Sequence, residues 1–426
     1  MNPCTWMLDS FQVAVKAADP AQIVPHFLPD LSELPKGRVL VVGAGKASAV
    51  MASAVENNWP EYPALEGIVV TRYGHAQPTR RITIIEAGHP IPDENGIKAA
   101  QQILRHVKQL TADDLLLCLF SGGGSSLLAL PTDSISLADL QHVTQQLLHC
   151  GASIQEINTV RKHISKIQGG WLAAACKAPI QALIISDVTG DDPAHIASGP
   201  CAPDPTRFSD ALAVLKHHHL DAPLSIQNTL CMGDRHLLDE TPKPGSPVFK
   251  HVRNRVIASG RQSLHAAKNF LQQQGINVLI MGDTVTGEAR EIAKAYAALV
   301  REIRLYPDIL KTPIALLSGG ETTVTLQGNG RGGRNTEFLL ALLIALDGLD
   351  QVYALACDTD GIDGSGHNAG ALITPDSLFR ARQAGMHAES FLINNDAFSF
   401  FKKLGDLVVT GPTYTNVNDY RVILVL

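Results

Sequence analysis

Five apolar runs in this chain stop abruptly in glycine, serine, threonine or aspartate: VLVVGAGKAS (39–48), LLLCLFSGGGSS (115–126), ALIISDVTGDD (182–192), IALLSGGETT (314–323) and YALACDTDGIDG (353–364). They alternate with longer segments of helical periodicity, the pattern of a mainly parallel sheet covered on both faces. In open sheets of this kind ligands bind beyond the carboxyl ends of the strands, so the chemistry is to be sought at the five tips. The tips offer backbone N–H groups, one early lysine and several carboxylates. That inventory suits a phosphorylated ligand with a divalent cation.

The segment 97–110 sets Ile97, Ala100, Leu104, Val107 and Leu110 along one stripe and reads as a crossover helix. Further helices are expected at 137–151, 157–177, 261–275, 287–304 and 335–346, with strands near 276–281, 352–357 and 407–410. A chain of 426 residues exceeds one small core. The proline-rich stretch LLDETPKPGSPVFK (237–250) is the expected linker, giving domains of about 1–240 and 250–426. The similar loops SGGGSS and SGGETT are separated by a different interval from SDVTGDD and DTDGIDG, which argues against a tandem repeat.

A net charge of −6 provides no basic footprint for nucleic acid. Seven cysteines without a C-x-x-C suggest neither a disulfide framework nor a zinc ribbon, which fits a reducing cytoplasm. No stretch reaches the ~20 apolar residues of a membrane span, and the N-terminus lacks the basic start and apolar core of a signal peptide. A soluble, unprocessed, cytoplasmic protein is expected, monomeric or homodimeric.

In VVGAGKAS a glycine turn leads into a helix expected to begin near Lys46, so Gly43 and Gly45 allow the backbone to approach an anion and Lys46 neutralises it. The dinucleotide fingerprint G-x-G-x-x-G is incomplete, because Ser48 holds its last place. In SGGGSS, Ser121, Gly122, Gly123, Gly124 and Ser125 form a candidate anion nest. SGGETT adds Glu321. In GRGGRNTEF, Arg334 is a second candidate phosphate clamp, with Asn335 beside it and Arg331 on the surface. Asp187, Asp191 and Asp192 in one loop, and Asp358, Asp360 and Asp363 in another, suit Mg²⁺ or a general base. The latter loop lacks the glutamate that would complete a calcium-binding EF-hand. His217 to His219 point in different directions on a helix and make a poor metal site. His75 and His89 are candidate loop residues near a ligand. No Walker A, protein-kinase H-R-D or G-x-S-x-G motif is present.

In order along the chain, VVGAGKA, EAGHPIPDENG, SGGGSSLLALP, EINTVRKHISKIQGG, SDVTGDDPAHIASGP, SGGETTVT with GRGGRNTEF, and GDLVVTGPTYTNVND resemble the glycerate 2-kinase family of the MOFRL type. Some members of that family carry the older label of hydroxypyruvate reductase, from tartrate-degradation operons. The resemblance runs from about residue 10 to the C-terminus. It implies a Rossmann-like α/β N-terminal domain and a smaller α/β MOFRL domain, with the active site in the inter-domain cleft. It also implies ATP-dependent, Mg²⁺-requiring transfer of phosphate to the 2-hydroxyl of (R)-glycerate, giving 2-phosphoglycerate.

By the same resemblance, Lys46 and Arg334 are the phosphate-handling pair, and Asp187, Asp192, Glu321 and Asp360 fall at matching acidic positions. The expected roles are catalytic for Lys46, Arg334 and Asp187. Nucleotide binding is expected of Gly43, Gly45, Ser121, Gly122, Gly123, Gly124, Ser125, Glu321 and Asn335, and metal binding of Asp192, Asp360 and Asp363. The chain departs from the family at Gln168 and Trp171, where KGGRLA is frequent, at Thr336 in GGRNQEF and at Cys201 in SGPT. The two rival readings are an NAD(P)H-dependent hydroxypyruvate reductase, with Arg72 placed to meet a 2′-phosphate, and a non-catalytic sugar-phosphate sensor.

Overall fold

The computed structural model describes residues 2–426 apart from 61, 63, 307 and 309. The chain forms two compact units: Pro20–Ile257, and Met1–Asp19 together with Ala258–Leu426.

The first unit is built on β1 (Val39–Ala44), β2 (Leu65–Arg72), β3 (Ile82–Ala87), β4 (Leu115–Phe120), β5 (Ile180–Ile185) and β6 (Val252–Ala258), in the spatial order β3-β2-β1-β4-β5-β6. This is the strand order of dinucleotide-binding folds. The pairings of β1 with β2 and β4, of β2 with β3 and of β4 with β5 are parallel. All six residues of β1 are buried, as a central parallel strand requires. The crossover helix Glu94–Val107 is capped by Asp93, which accepts from Gly96 N, and lays Ala99, Ala100, Ile103 and Val107 on the core. The helix expected at 157–177 is instead Ile154–His163, followed by turns and a short helix Trp171–Ala174. Gly169 and Gly170, both at positive φ, break it.

The second unit contains β7 (Asn277–Gly282), β8 (Thr286–Glu288), β9 (Ile314–Ser318), β10 (Glu321–Thr323), β11 (Val352–Asp358), β12 (Gly370–Ile373), β13 (Leu407–Val408) and β14 (Asp419–Val425). Its main sheet runs β13-β12-β11-β14-β9-β7 and is mixed: β7 pairs parallel with β9, and β14 antiparallel with both β9 and β11. The helix Arg334–Leu346 lies in its core, with Phe338, Leu339, Leu340 and Leu342 fully buried.

The N-terminal helix Pro3–Lys16 packs in this second unit, although its position in the sequence put it in the first. Phe11 stacks on Tyr420, whose hydroxyl donates to Ser10 Oγ (2.8 Å). The expected linker at 237–250 belongs to the first unit, where Thr241 donates to Asp204 (2.9 Å) and Asp204 N to Pro242 O (2.9 Å), and the chain crosses over only after Ile257.

Candidate functional site

Strand order in the first unit reverses between β1 and β4, so the loops at their carboxyl ends border the topological switch point. Those loops are GAGKAS and SGGGSS, and they are tied to each other. Ser121 N donates to Ala44 O (3.2 Å), Lys46 N to Gly122 O (2.8 Å) and Ala47 N to Ser121 Oγ (3.0 Å). Ser48 Oγ donates to Leu119 O (2.9 Å). Gly45 makes this approach possible, because at φ +145° a Cβ there would lie 2.1 Å from Ser121 Oγ. A Cβ on Gly43 would lie 2.4 Å from Leu119 O. Gly43, Gly45 and the fully buried Ser121 therefore shape the loops from within. The helix starts at Ser48, so Lys46 sits in the bend before it.

Gly123 adopts the left-handed conformation (φ 81°). A Cβ on it would lie 2.9 Å from both Cδ2 and Nε2 of His89 and 3.4 Å from Lys46 Cγ. The ring of His89, the backbone of Gly123 and the stem of Lys46 thus converge at one point. His75, buried, sets its Nδ1 3.4 Å from Lys46 O behind them. Gly122 and Gly124 are buried, and a Cβ on Gly124 would strike Ala197 (2.6 Å). Ser125 Oγ lies 2.8 Å from Ser198 Oγ, which donates to Asn158 Oδ1 (2.9 Å), so Ser125 belongs to an internal network. Ala197 and Ser198 both hold positive φ, local strain of the kind that collects at functional loops.

At the end of β5, Asp187 is half-buried and Asp192 exposed, with Asp192 Oδ1 accepting from Ala194 N (2.9 Å). β5 is two places from β1, roughly 10 Å at the usual ~4.8 Å strand spacing. A buried cluster lies nearby that sequence reasoning did not single out. Lys162 Nζ is 3.4 Å from Asp204 Oδ1, and Thr206 and Thr241 also donate to that carboxylate. Burial alone would raise the pKa of Asp204, but Lys162 and the threonine hydrogen bonds outweigh it and hold the group below the usual range. His195, which feels the charges of both Lys162 and Asp192, has its pKa lowered, first by burial and then by Lys162.

The second unit gathers the other acidic tips around Arg334, the first residue of its helix. Arg334 Nε donates to Asp419 (2.8 Å), Nη1 to Glu321 (2.6 Å) and Nη2 to Asp358 (2.8 Å). Burial would weaken its charge, but Asp419, Asp358 and Glu321 more than compensate, and its pKa is raised well above the ordinary value. The expected phosphate clamp is thus held by three carboxylates, of which only Glu321 is exposed. Asn335, fully buried, donates to Asp419 Oδ1 (2.7 Å) and is part of this support. Asp419 and Arg421, which pair with each other, were not among the expected site residues.

Asp363 is also reassigned. Its carboxylate accepts from Asn335 N (3.0 Å), Thr336 N (2.9 Å) and Thr336 Oγ1 (2.8 Å), capping the helix from a distant segment. Gly333 leaves the space, since a Cβ there would lie 2.4 Å from Asp363 Oδ1. A carboxylate so occupied is a cap, which replaces the metal-ligand expectation. Asp360, buried, accepts from Ile362 N (2.9 Å). Arg331 is exposed as expected and lies over Phe398.

Two family models match the chain. Residues 6–231 match a domain of unknown function, DUF4147, and residues 314–419 match the MOFRL family. A relative from Agrobacterium vitis, 50% identical over 97% of this chain and 93% of its own length, carries the provisional name hydroxypyruvate reductase. The D-glycerate 2-kinase of Thermotoga maritima is 40% identical over 97% of this chain and 96% of its own. A crystal structure of glycerate kinase from Thermotoga maritima superposes with a TM-score of 0.87 at 38% identity, covering 99% of each chain.

Proposed function

Because the chain belongs to the glycerate kinase family, we propose that it transfers the γ-phosphoryl group of ATP to the 2-hydroxyl of (R)-glycerate, yielding 2-phosphoglycerate. The observation that carries this reading is the convergence of Lys46, His89 and the left-handed Gly123 at the β1/β4 switch point. Phosphoryl transfer asks little covalent chemistry of a protein and depends on positioning and charge neutralisation. Lys46 supplies a point charge, the glycine-loop N–H groups supply fixed dipoles, and His89 adds a ring nitrogen at the same place. Asp187, at the tip of β5, orients or deprotonates the 2-hydroxyl. In the second unit, Arg334 meets a phosphate oxygen once Glu321, its exposed partner, gives way.

Mg²⁺ usually keeps several waters and binds one or two carboxylates plus substrate phosphates. The carboxylates fit that mode: among the described residues only Glu156, His217 and His218 converge closely enough to suggest an all-protein metal cage. Asp192 in the first unit and Asp360 in the second are each candidate carboxylates for the ion, which would neutralise phosphate charge when bound. ATP and glycerate are small-molecule partners, and no described helix is long and apolar enough to cross a membrane; a cytoplasmic setting within tartrate degradation suits this chemistry.

The test is ADP release with ATP, Mg²⁺ and (R)-glycerate, run beside NADPH oxidation with hydroxypyruvate. Glycerate-dependent ADP release without NADPH turnover supports the kinase, and the converse result overturns it in favour of the reductase.

A further inference from the structure

Every other deeply buried cation described above has an acidic partner: Lys162 has Asp204, Arg421 has Asp419, and Arg334 has three carboxylates. Arg161 does not. It lies in the last turn of the helix Ile154–His163 and is 9% exposed. Among the described residues no ion pair or side-chain hydrogen bond reaches its guanidinium, and burial pushes its pKa down to about 10 with no carboxylate opposing the shift. Taking a charge out of water without a partner is costly, and a counter-charge supplied from outside the chain would offset that cost.

Arg161 lines a cavity with Ser125, Thr144, Ser165 and Gln168 over an apolar floor that includes Leu130, and no aspartate or glutamate contributes to its wall. Gln168 Nε2 donates to Ser125 O (2.7 Å) and Leu128 O (3.1 Å), holding the SGGGSS loop to the cavity rim without adding charge. The free volume, about 10 Å³, admits a group the size of one water molecule. That is room for the end of a small anion and not for a nucleotide. Ser125, on the cavity wall, is two residues from Gly123, beside which Lys46 and His89 meet.

We propose that Arg161 anchors the carboxylate of the acceptor substrate, inserted end-on into this cavity so that the rest of the acid extends toward the glycine loop. The proposal rests on the glycerate kinase reading above. A guanidinium donates a charge-assisted hydrogen bond to the one carboxylate oxygen that fits, and no acid in the cavity wall competes for it.

Three full-length variants test this: Arg161→Met, Arg161→Lys and Thr144→Asp, the last placing a carboxylate beside Arg161 inside the cavity. For Arg161→Met the expected result is a KM for glycerate raised about 30-fold or more, the scale of a lost charge-assisted contact, with KM for ATP within about twofold. Its melting temperature without ligand should stay level or rise, because an unpaired buried charge has gone, and the stabilisation of the wild-type protein by glycerate should vanish. Arg161→Lys should recover part of the affinity. Thr144→Asp should fold and mimic the loss of glycerate binding by occupying the guanidinium. A higher KM for ATP alone, or a folded Thr144→Asp with normal glycerate affinity, would overturn the assignment. If the wild-type enzyme neither binds nor phosphorylates glycerate, the underlying reading fails; if it does both and Arg161→Met is indifferent, only this proposal fails.

Discussion

Replacing Asp363 by alanine separates a helix cap from a metal ligand. The carboxylate satisfies Asn335 N, Thr336 N and Thr336 Oγ1 in a site that is 1% exposed. Each buried donor left without a partner costs about 1–3 kcal/mol, and loss of an ordinary cap costs about 0.5–2 kcal/mol. The burial that raises the pKa of Asp363 offsets part of the gain from these bonds, because it disfavours the charged acceptor. The net expectation for Asp363→Ala is a loss of about 3 kcal/mol, or roughly 6–12 °C in the melting temperature of a unit this size. Asp363→Asn keeps one acceptor and should lose about half as much. Thermal and urea unfolding measure the loss, and a Mg²⁺ titration of turnover measures the alternative. Wild-type stability with a markedly raised Mg²⁺ requirement would refute the cap and restore the metal ligand.

Lys46→Ala should leave the unfolding midpoint within error, because its loop is held by backbone bonds, and should lower kcat by about 10²-fold or more; near-normal turnover would remove Lys46 from the chemistry. Gly123→Ala forces a Cβ to 2.9 Å from the His89 ring at φ 81° and should cost about 1–2 kcal/mol together with activity; an unaltered melting curve and rate would contradict the packed loop. Asp204, with its folded pKa depressed, contributes stability that is full above its unfolded value, about 3.9, and is lost as pH falls through the folded value. Urea midpoints should accordingly show Asp204→Asn weaker than wild type at pH 7 and the gap closing below about pH 4; a gap that widens in acid would reverse the assignment.

The strands that end in ligand-type loops were legible in the sequence, because strands buried on both faces are apolar throughout and their tips change composition sharply. β14, which carries Asp419 and Arg421 among its apolar residues, was not anticipated. The N-terminal helix could not be assigned from its position, because its partner Tyr420 lies at the other end of the chain. At the site, residue types were easier to read than side-chain direction. Glycines and a lysine marked the β1/β4 loops, but nothing in the sequence shows that Ser121 turns inward to Ala47 N, or that Asp363 reaches a helix N-terminus 27 residues away. Arg161 was obscured for the same reason: beside Lys162 and His163 it reads as one of a run of surface charges, and only the packing of Ile154–His163 shows all three buried.

The most direct measurement is ³¹P NMR of the product formed from ATP and (R)-glycerate. The account predicts a single new phosphomonoester identified as 2-phosphoglycerate, appearing in step with ADP and absent when Lys46→Ala replaces the wild type. The 3-phosphate, or ADP released at the same rate without glycerate, would contradict it.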